Sequence, residues 1–543
     1  MGSGDLPSAG RGADAERTAD RPCSALPPEV CGGDPLTVSP WALRVSGGRE
    51  AQCSCREGAN DPCPHAPTGR SLRPARPVAR RSGMRPGFVA LLIGLCADNS
   101  LAQARETLTG ALLLAYHGNP DLNAQRANLR VVDENVPQAL AGYRPRVNIG
   151  VNAAAAQSDG TLAGVQVRYR TLPVQAGLTV SQTIFDGFQT DNKTRLAESQ
   201  IYSQRETLRG VESNTLFSAA VAYMNLLRDT AIYALQQNNV EVIQEQLRQT
   251  RIRLDEGQVT LTDVSQAEAR LAVAQAQLST GESTLQSSIG AFRQVVGVDP
   301  HDLAPGRPID AFIPADRDSA IATAFRDHPG IIAARHDVDV AEAQVKIAEG
   351  QLYPQLTASA SLEGNHDLPP LSNSPRPNSS SLSGIVQGRL TIPLYEGGFV
   401  YSEIRQAKER VGQRRIEVES IRDRVRFNVV TAWGALEAAK AAVIASQKAV
   451  IANERALAGV REEAAIGQRT TLDVLNAQQE LLLARVGLVS AQRDRVIASY
   501  QVVFSMGQLT VKFLNLTGKV YDKKVHYDQV KDLWFGVRSP DGR

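Results

Sequence analysis

Two eight-residue segments carry glycine, hydroxyl and carboxylate residues in one order. They are Gly257-Gln-Val-Thr260-Leu-Thr262-Asp263-Val264 and Gly467-Gln-Arg469-Thr470-Thr-Leu-Asp473-Val474, offset by 210 residues. In each, a threonine precedes an aspartate by three positions. That spacing lets hydroxyl and carboxylate satisfy each other's backbone N–H groups at the start of a helix, where the helix dipole also favours an acid. The chemistry on offer is hydrogen bonding and fixed charge rather than bond-making. Arg469 stands apart: Val259 occupies its place in the first segment, and no local rule of helix formation requires it.

The rest of the chain offers little reactive chemistry. HExxH, Walker A, GxSxG and zinc-ligand spacings are all missing from the sequence. His117, His301, His328, His336, His366 and His526 are scattered, and all six cysteines lie at or before Cys96. Thiol catalysis, iron–sulfur ligation and zinc–thiolate sites are thereby excluded from most of the chain. The expectation is no enzyme, no cofactor and no metal. A net charge of +2 gives no basic footprint for nucleic acid. Mean hydropathy is −0.22, and no run of 18 apolar residues occurs, which excludes a multi-helix inner-membrane transporter.

Residues 1–83 are rich in Arg, Pro and Gly, without lysine or regular periodicity, and read as disordered or as sequence upstream of the true start. Residues 84–104 read as a secretory signal peptide: Arg80, Arg81 and Arg85, the short apolar run Phe88 to Ala97, then Ala102-Gln-Ala104 as cleavage site. The mature chain then starts at Arg105.

The offset of 210 recurs elsewhere. Ile184-Phe185-Asp186-Gly187 matches Leu394-Tyr395-Glu396-Gly397, and Ala222-Tyr223 matches Ala432-Trp433. Asn119-Pro120 and His328-Pro329 match at nearly the same distance. Residues 105–300 and 318–512 therefore form two repeats, with a linker over 301–317 and a tail over 513–543. Each repeat predicts a helix (106–142; 318–352) ended by Pro145 or Pro354. Two period-2 segments follow (146–152 and 174–184; 355–362 and 384–392). Then come a very long helix (188–256; 398–466), the glycine turn, and a return helix (260–295; 470–506). Leu216, Ala220, Tyr223, Leu227, Ala231 and Ala234 trace a coiled-coil-like seam on the first long helix.

Some 65 helical residues reach about 100 Å, so such a helix must pack along other helices. Four strands cannot close a barrel, and open edges are not tolerated in lipid. If these strands are membranous, the chain must oligomerise, and three copies supply twelve strands. Tyr143 and Tyr353, before the first strand of each pair, and Phe185 and Tyr395, at the end of the second, would then share one rim as an aromatic girdle.

On the duplicated helix–strand–strand–helix–helix order, the two Gly-x-x-Thr-x-x-Asp-Val turns and the Phe-Asp-Gly and Tyr-Glu-Gly closures, residues 105–512 resemble the TolC-type outer-membrane channel family. The resemblance implies a mainly α protein with β strands. It forms a homotrimer whose twelve-stranded β barrel sits in outer-membrane lipid and continues as a periplasmic α-helical tunnel. It implies a passive conduit that works with a periplasmic adaptor and an inner-membrane ABC or RND pump. The tail from Tyr521 onward resembles members tied to type I protein secretion; the alternative is efflux of drugs or other small molecules. A periplasmic coiled-coil adaptor is the rival class, but it would carry one hairpin rather than two duplicated ones.

The resemblance also places a gate at the helical tips. Arg469 would bond toward Thr262 and Asp263, and Asp473 from three chains would form an acidic ring. Asn476 stands where the family has a second acid, and Ala464 where its best-known gate has a tyrosine. Adaptor docking is expected around Gly257, Thr260, Val264, Gly467, Thr470 and Val474. Capping explains the two aspartates as well as gating does, and the two roles can coexist.

Overall fold

A computed structural model of the protein describes residues 106–162, 164–368 and 380–540. The segments 1–83 and 84–104, on which the upstream and signal-peptide readings rest, lie outside the described residues.

Each repeat begins with several helices where the sequence predicts one. In the first, α1 (Leu108–Gly118), α2 (Pro120–Asp133) and α3 (Asn135–Leu140) replace one helix over 106–142; in the second, α6 (Arg317–Asp327) and α7 (Pro329–Gly350) replace 318–352. The breaks fall at Asn119-Pro120 and His328-Pro329. A residue before proline is pushed out of helical geometry, while proline itself suits the first position of the next helix. Asn119 and His328 are extended, and each caps the helix after it. Asn119 Oδ1 accepts from the N–H groups of Asp121 and Leu122, and His328 Nδ1 accepts from Gly330.

The strands are β1 (Arg146–Ala153), β2 (Ala156–Leu162), β3 (Val165–Phe185), β4 (Gln355–Leu368) and β5 (Ser380–Thr391). They form one antiparallel sheet in the order β1-β3-β4-β5, with Leu178 facing Ile149 on one side and Leu362 on the other. Four strands were expected; there are five among the described residues. The segment read as the first repeat's loop instead folds as a hairpin, pairing β2 with the far end of the 21-residue β3. Every residue of β1 and β5 is exposed, and each of these strands has one unpaired edge among the described residues.

Two 67-residue helices, α4 (Gln189–Asp255) and α8 (Phe399–Ala465), run from the strand roots, each about 100 Å long. Gly210, Gly412 and Gly434 do not interrupt them. The return helices are α5 (Leu261–Val296) and α9 (Thr471–Ser505), and a short α10 (Val525–Val530) lies in the tail. The α4 seam is buried at Leu216, Ala220 and Tyr223, then passes to Val240, Ile243 and Leu247 as the packing partner changes.

Both repeats contribute to the main core, where Leu112, Tyr223, Phe292, Val429, Leu436 and Val502 are buried together. Tyr223 donates its hydroxyl to the carbonyls of Glu106 and Ala304, tying the 301–317 linker to the start of the first repeat. Burial pushes its phenol up to about 12.

Candidate functional site

The tips are built by the two matched turns. Gly257 and Gly467 adopt φ of +74° and +80°, a left-handed backbone that glycine enters without a Cβ clash. The chain reverses there and a threonine caps the return helix. Asp263 Oδ2 accepts from Thr260 N–H at 2.9 Å and from its hydroxyl at 2.7 Å, while Asp263 N–H is directed at Thr260 Oγ1. Asp473 repeats this with Thr470. Both are complete capping boxes. The Thr260 hydroxyl and N–H hold the Asp263 carboxyl below its ordinary value; the Thr470 N–H and hydroxyl, then the Arg469 charge, do the same for Asp473. Both acids are therefore ionised at neutral pH.

Arg469 is not where the resemblance placed it. Its Nε donates to Glu463 Oε2 at 2.8 Å, across the turn of its own hairpin, and it makes no bond to Thr262 or Asp263 within the protomer. Glu463 lies only six residues before it in the same hairpin, and that short loop costs less to close than a reach to the other repeat. The repeats are instead linked at this level by Arg270 on α5, whose Nη2 donates to Asn476 Oδ1 on α9 at 2.8 Å. Arg270 was missed because nothing in α5 alone distinguishes it from a solvated helical arginine; the signal was the neutral Asn476 opposite it.

Val264 and Val474 are each only 5% exposed. Val264 packs with Leu247, Ala267 and Leu475, and Val474 with Leu457 and Leu481, so both stabilise the tips from within and present no face to a partner. The apolar groups the turns do present are Leu261 and Ile466, which are 70% and 71% exposed.

At the other end, the strand roots gather the aromatics. Phe185 meets Phe188 edge to face at 5.2 Å, and Phe188 meets Tyr353 at 6.4 Å. Tyr143, Tyr353, Tyr395 and Phe188 are all substantially exposed. The aspartate of Phe-Asp-Gly acts locally. Asp186 Oδ2 accepts from the N–H and hydroxyl of Thr190, fixing the start of α4. Gly187 comes next at φ +70°, so close to the Gly350 carbonyl that a Cβ would lie 2.3 Å from its oxygen.

Among the described residues, no three His, Cys, Asp or Glu side chains cluster so as to hold a metal ion. The half-buried His328 is a helix cap, its imidazole pushed down to about 4 by desolvation and by Arg209. Among the described residues one helix, α8, is long and apolar enough to cross a membrane by length and composition, with little of that window buried. Phe427, Val430 and Ile444 are exposed along it. It also packs against α7 and α9 and pairs Arg415 with Glu342, which marks it as a packing helix with an uncovered apolar side.

The family model described as outer membrane efflux protein matches residues 111–298 and 320–508, the two repeats almost entirely. The chain belongs to that family. The outer membrane efflux protein BepC of Brucella suis biovar 1 is 41% identical over 84% of this chain and 97% of its own length. The outer membrane protein TolC of Escherichia coli K12 is 25% identical over 81% of this chain and 90% of its own. The outer-membrane channel CmeC of Campylobacter jejuni shares the fold, with a TM-score of 0.65 at 15% identity over 78% of this chain and 89% of that one. The protein is thus a TolC-type outer-membrane efflux channel, the outer-membrane component of a tripartite exporter and a transport conduit rather than an enzyme.

Proposed function

We propose that three copies of the chain close one twelve-stranded barrel over one helical tunnel, and that the shared lumen is a passive exit path for small toxic compounds. The observation that carries this reading is the sheet: four strands side by side, both outer edges unpaired and every residue of β1 and β5 uncovered. In lipid each free edge would leave backbone groups without partners, so β1 of one copy must meet β5 of another. Two copies would give eight strands, a barrel whose interior side chains fill; three give the smallest multiple that leaves a lumen. The uncovered apolar residues of α8 then pack against neighbouring copies.

The periplasmic tips close the tunnel. Asp473 of each copy, ionised and near the axis, would form a cation-attracting ring. Arg270 and Asn476 hold the return helices of the two repeats together behind it. An adaptor with a coiled-coil hairpin would meet the exposed surface at Gly257, Thr260, Leu261, Ile466, Gly467 and Thr470.

Small-molecule efflux is placed before type I protein secretion for two reasons. The 41% identical relative carries efflux in its name. The tail that suggested secretion has a packing role within the chain itself, with Lys523 donating to the Arg205 carbonyl and Tyr527 lying against Ala197 and Ile201. Deleting the gene and measuring both drug accumulation and extracellular protein tests the order. Raised accumulation with an unchanged secretome supports efflux; loss of a secreted protein with unchanged accumulation reverses it.

A further inference from the structure

The tail follows α4 upward. Val511 N–H donates to Glu212, Lys523 Nζ to the carbonyl of Arg205, and Tyr527 packs on Val136, Ala197 and Ile201. As the tail advances, its partners on α4 move steadily toward Gln189, where that helix leaves the strands. Over this stretch of α4 the tail climbs roughly 20 Å. His526 Nδ1, 3.1 Å from the buried carboxylate of Asp133, pins the middle of the path.

The path ends at the strand root. Arg144 donates to the carbonyl of Leu533 at 2.6 Å, and its guanidinium lies 4.7 Å from the ring centroid of Trp534. Arg144 stands two residues before β1 begins and next to Tyr143, one of the exposed rim aromatics. Beyond this clamp the chain presents Trp534 at 66% exposure, Phe535 at 92% and Val537 at 103%. Apart from the Arg144 guanidinium beside Trp534, the described residues of the protomer leave them open.

The strands cross the outer membrane, so their helix-side roots mark the headgroup level of the inner, phospholipid leaflet. Amphipathic aromatics concentrate at that depth because a ring gains from the acyl boundary while its polar edge stays hydrated. A short segment with tryptophan, phenylalanine and an aliphatic side chain, held at that depth beside a cation, has the composition of an interfacial anchor. Arg144 is the residue after Tyr143, and Phe188 and Tyr353 also lie at strand roots.

We propose that the C-terminal segment around Trp534, Phe535 and Val537 is a membrane anchor that seats in the inner leaflet of the outer membrane. Its ligand is the phospholipid interface, with Arg144 placed to face lipid phosphate. The tail then ties α2, α3 and α4 to the bilayer and steadies the tunnel against pulling at its far tips.

Trp534 itself can report this. In the full chain with Trp41→Phe and Trp433→Phe it is the remaining tryptophan. The trimer is reconstituted into phosphatidylethanolamine–phosphatidylglycerol vesicles carrying phosphatidylcholine spin-labelled either near the headgroup or near the acyl terminus, and bilayer conductance confirms that the channel is intact. The expected result is strong quenching by the shallow label and weak quenching by the deep one. Quenching by aqueous acrylamide without lipid quenching would place Trp534 in water and overturn the proposal. Protection from acrylamide and both lipid labels would place it against a neighbouring copy and overturn it equally. Phe535→Trp in the chain whose three native tryptophans are replaced by Phe should show the same shallow quenching with conductance retained; acrylamide quenching without lipid quenching at that position counts against the anchor.

Discussion

Arg270 on α5 and Asn476 on α9 are joined by a 2.8 Å hydrogen bond across 206 residues of sequence. The bond links the return helices of the two repeats within two turns of the Val264 and Leu475 packing that lies beneath the tips. In the proposed closure of the tunnel at its tips, opening separates these helices and the bond opposes it. Each partner is at least partly exposed, which limits its worth to about 1 kcal/mol. Arg270→Ala and Asn476→Ala should each raise the open population in planar bilayers about five-fold for every copy whose bond opening breaks, and the double variant should do no more than either single one. Additive effects in that cycle would show that the residues act separately.

Asp473 serves both a cap and, in the proposed trimer, a charge near the axis. The two roles separate by mutation. Thr470→Ala removes the reciprocal cap and should cost about 1 kcal/mol of local stability while leaving cation selectivity in place. Asp473→Asn should lower selectivity as well. Unchanged selectivity in Asp473→Asn would remove this residue from the pore lining.

The same carboxylate sets a pH window. The Thr470 hydrogen bonds favour its ionised form, so its folded pKa lies below the ordinary carboxylate value. Its contribution is present above that ordinary value and is lost as pH falls through the depressed one. Cation selectivity should therefore be flat from neutrality down to about pH 4. A midpoint near pH 6 would assign the selectivity to some other group.

His328 shifts stability in the same direction, but over a higher pH window. Burial lowers its pKa to about 4, so between that value and about 6.5 the unfolded chain binds a proton that the folded one refuses. Stability should fall as pH drops through this window, by up to about 3 kcal/mol. His328→Asn keeps a side-chain cap for α7 without a titrating group, and should flatten the decline. Thermal unfolding of the detergent-solubilised protein across that range checks it.

Gly187 and Gly397 are matched in sequence and unequal in structure. Both have positive φ, but only at Gly187 does another backbone crowd the missing Cβ; nothing lies within 4 Å of that position at Gly397. Gly397→Ala should cost about 1 kcal/mol, the strain of placing a Cβ on a left-handed backbone. Gly187→Ala should cost clearly more and lower the yield of heat-resistant oligomer. Equal losses would contradict the close approach to Gly350.

Much of the architecture was legible because duplication doubles every signal. A constant offset located the long helices to within a residue or two at each end, and the Thr-x-x-Asp pairs named their own caps. Pro120 and Pro329 were visible but underused: a proline preceded by a side-chain cap starts a helix, so each should have divided the segment containing it. The β2 hairpin was hidden because its outward course through Ala156-Gln-Ser-Asp-Gly-Thr-Leu162 has little apolar alternation. Arg469 shows the limit of reading a bond from a resemblance, since a partner six residues away in Glu463 satisfies the same guanidinium. Arg270 became meaningful only when the fold set α5 against α9.

The central claim is that one chain cannot enclose the path and three can. The most direct test is the protein mass of the purified, detergent-solubilised particle, measured by light scattering with the detergent contribution removed. A mass of three chains, falling to one on boiling, is the predicted result. A single-chain mass, stable in water without detergent, would contradict it.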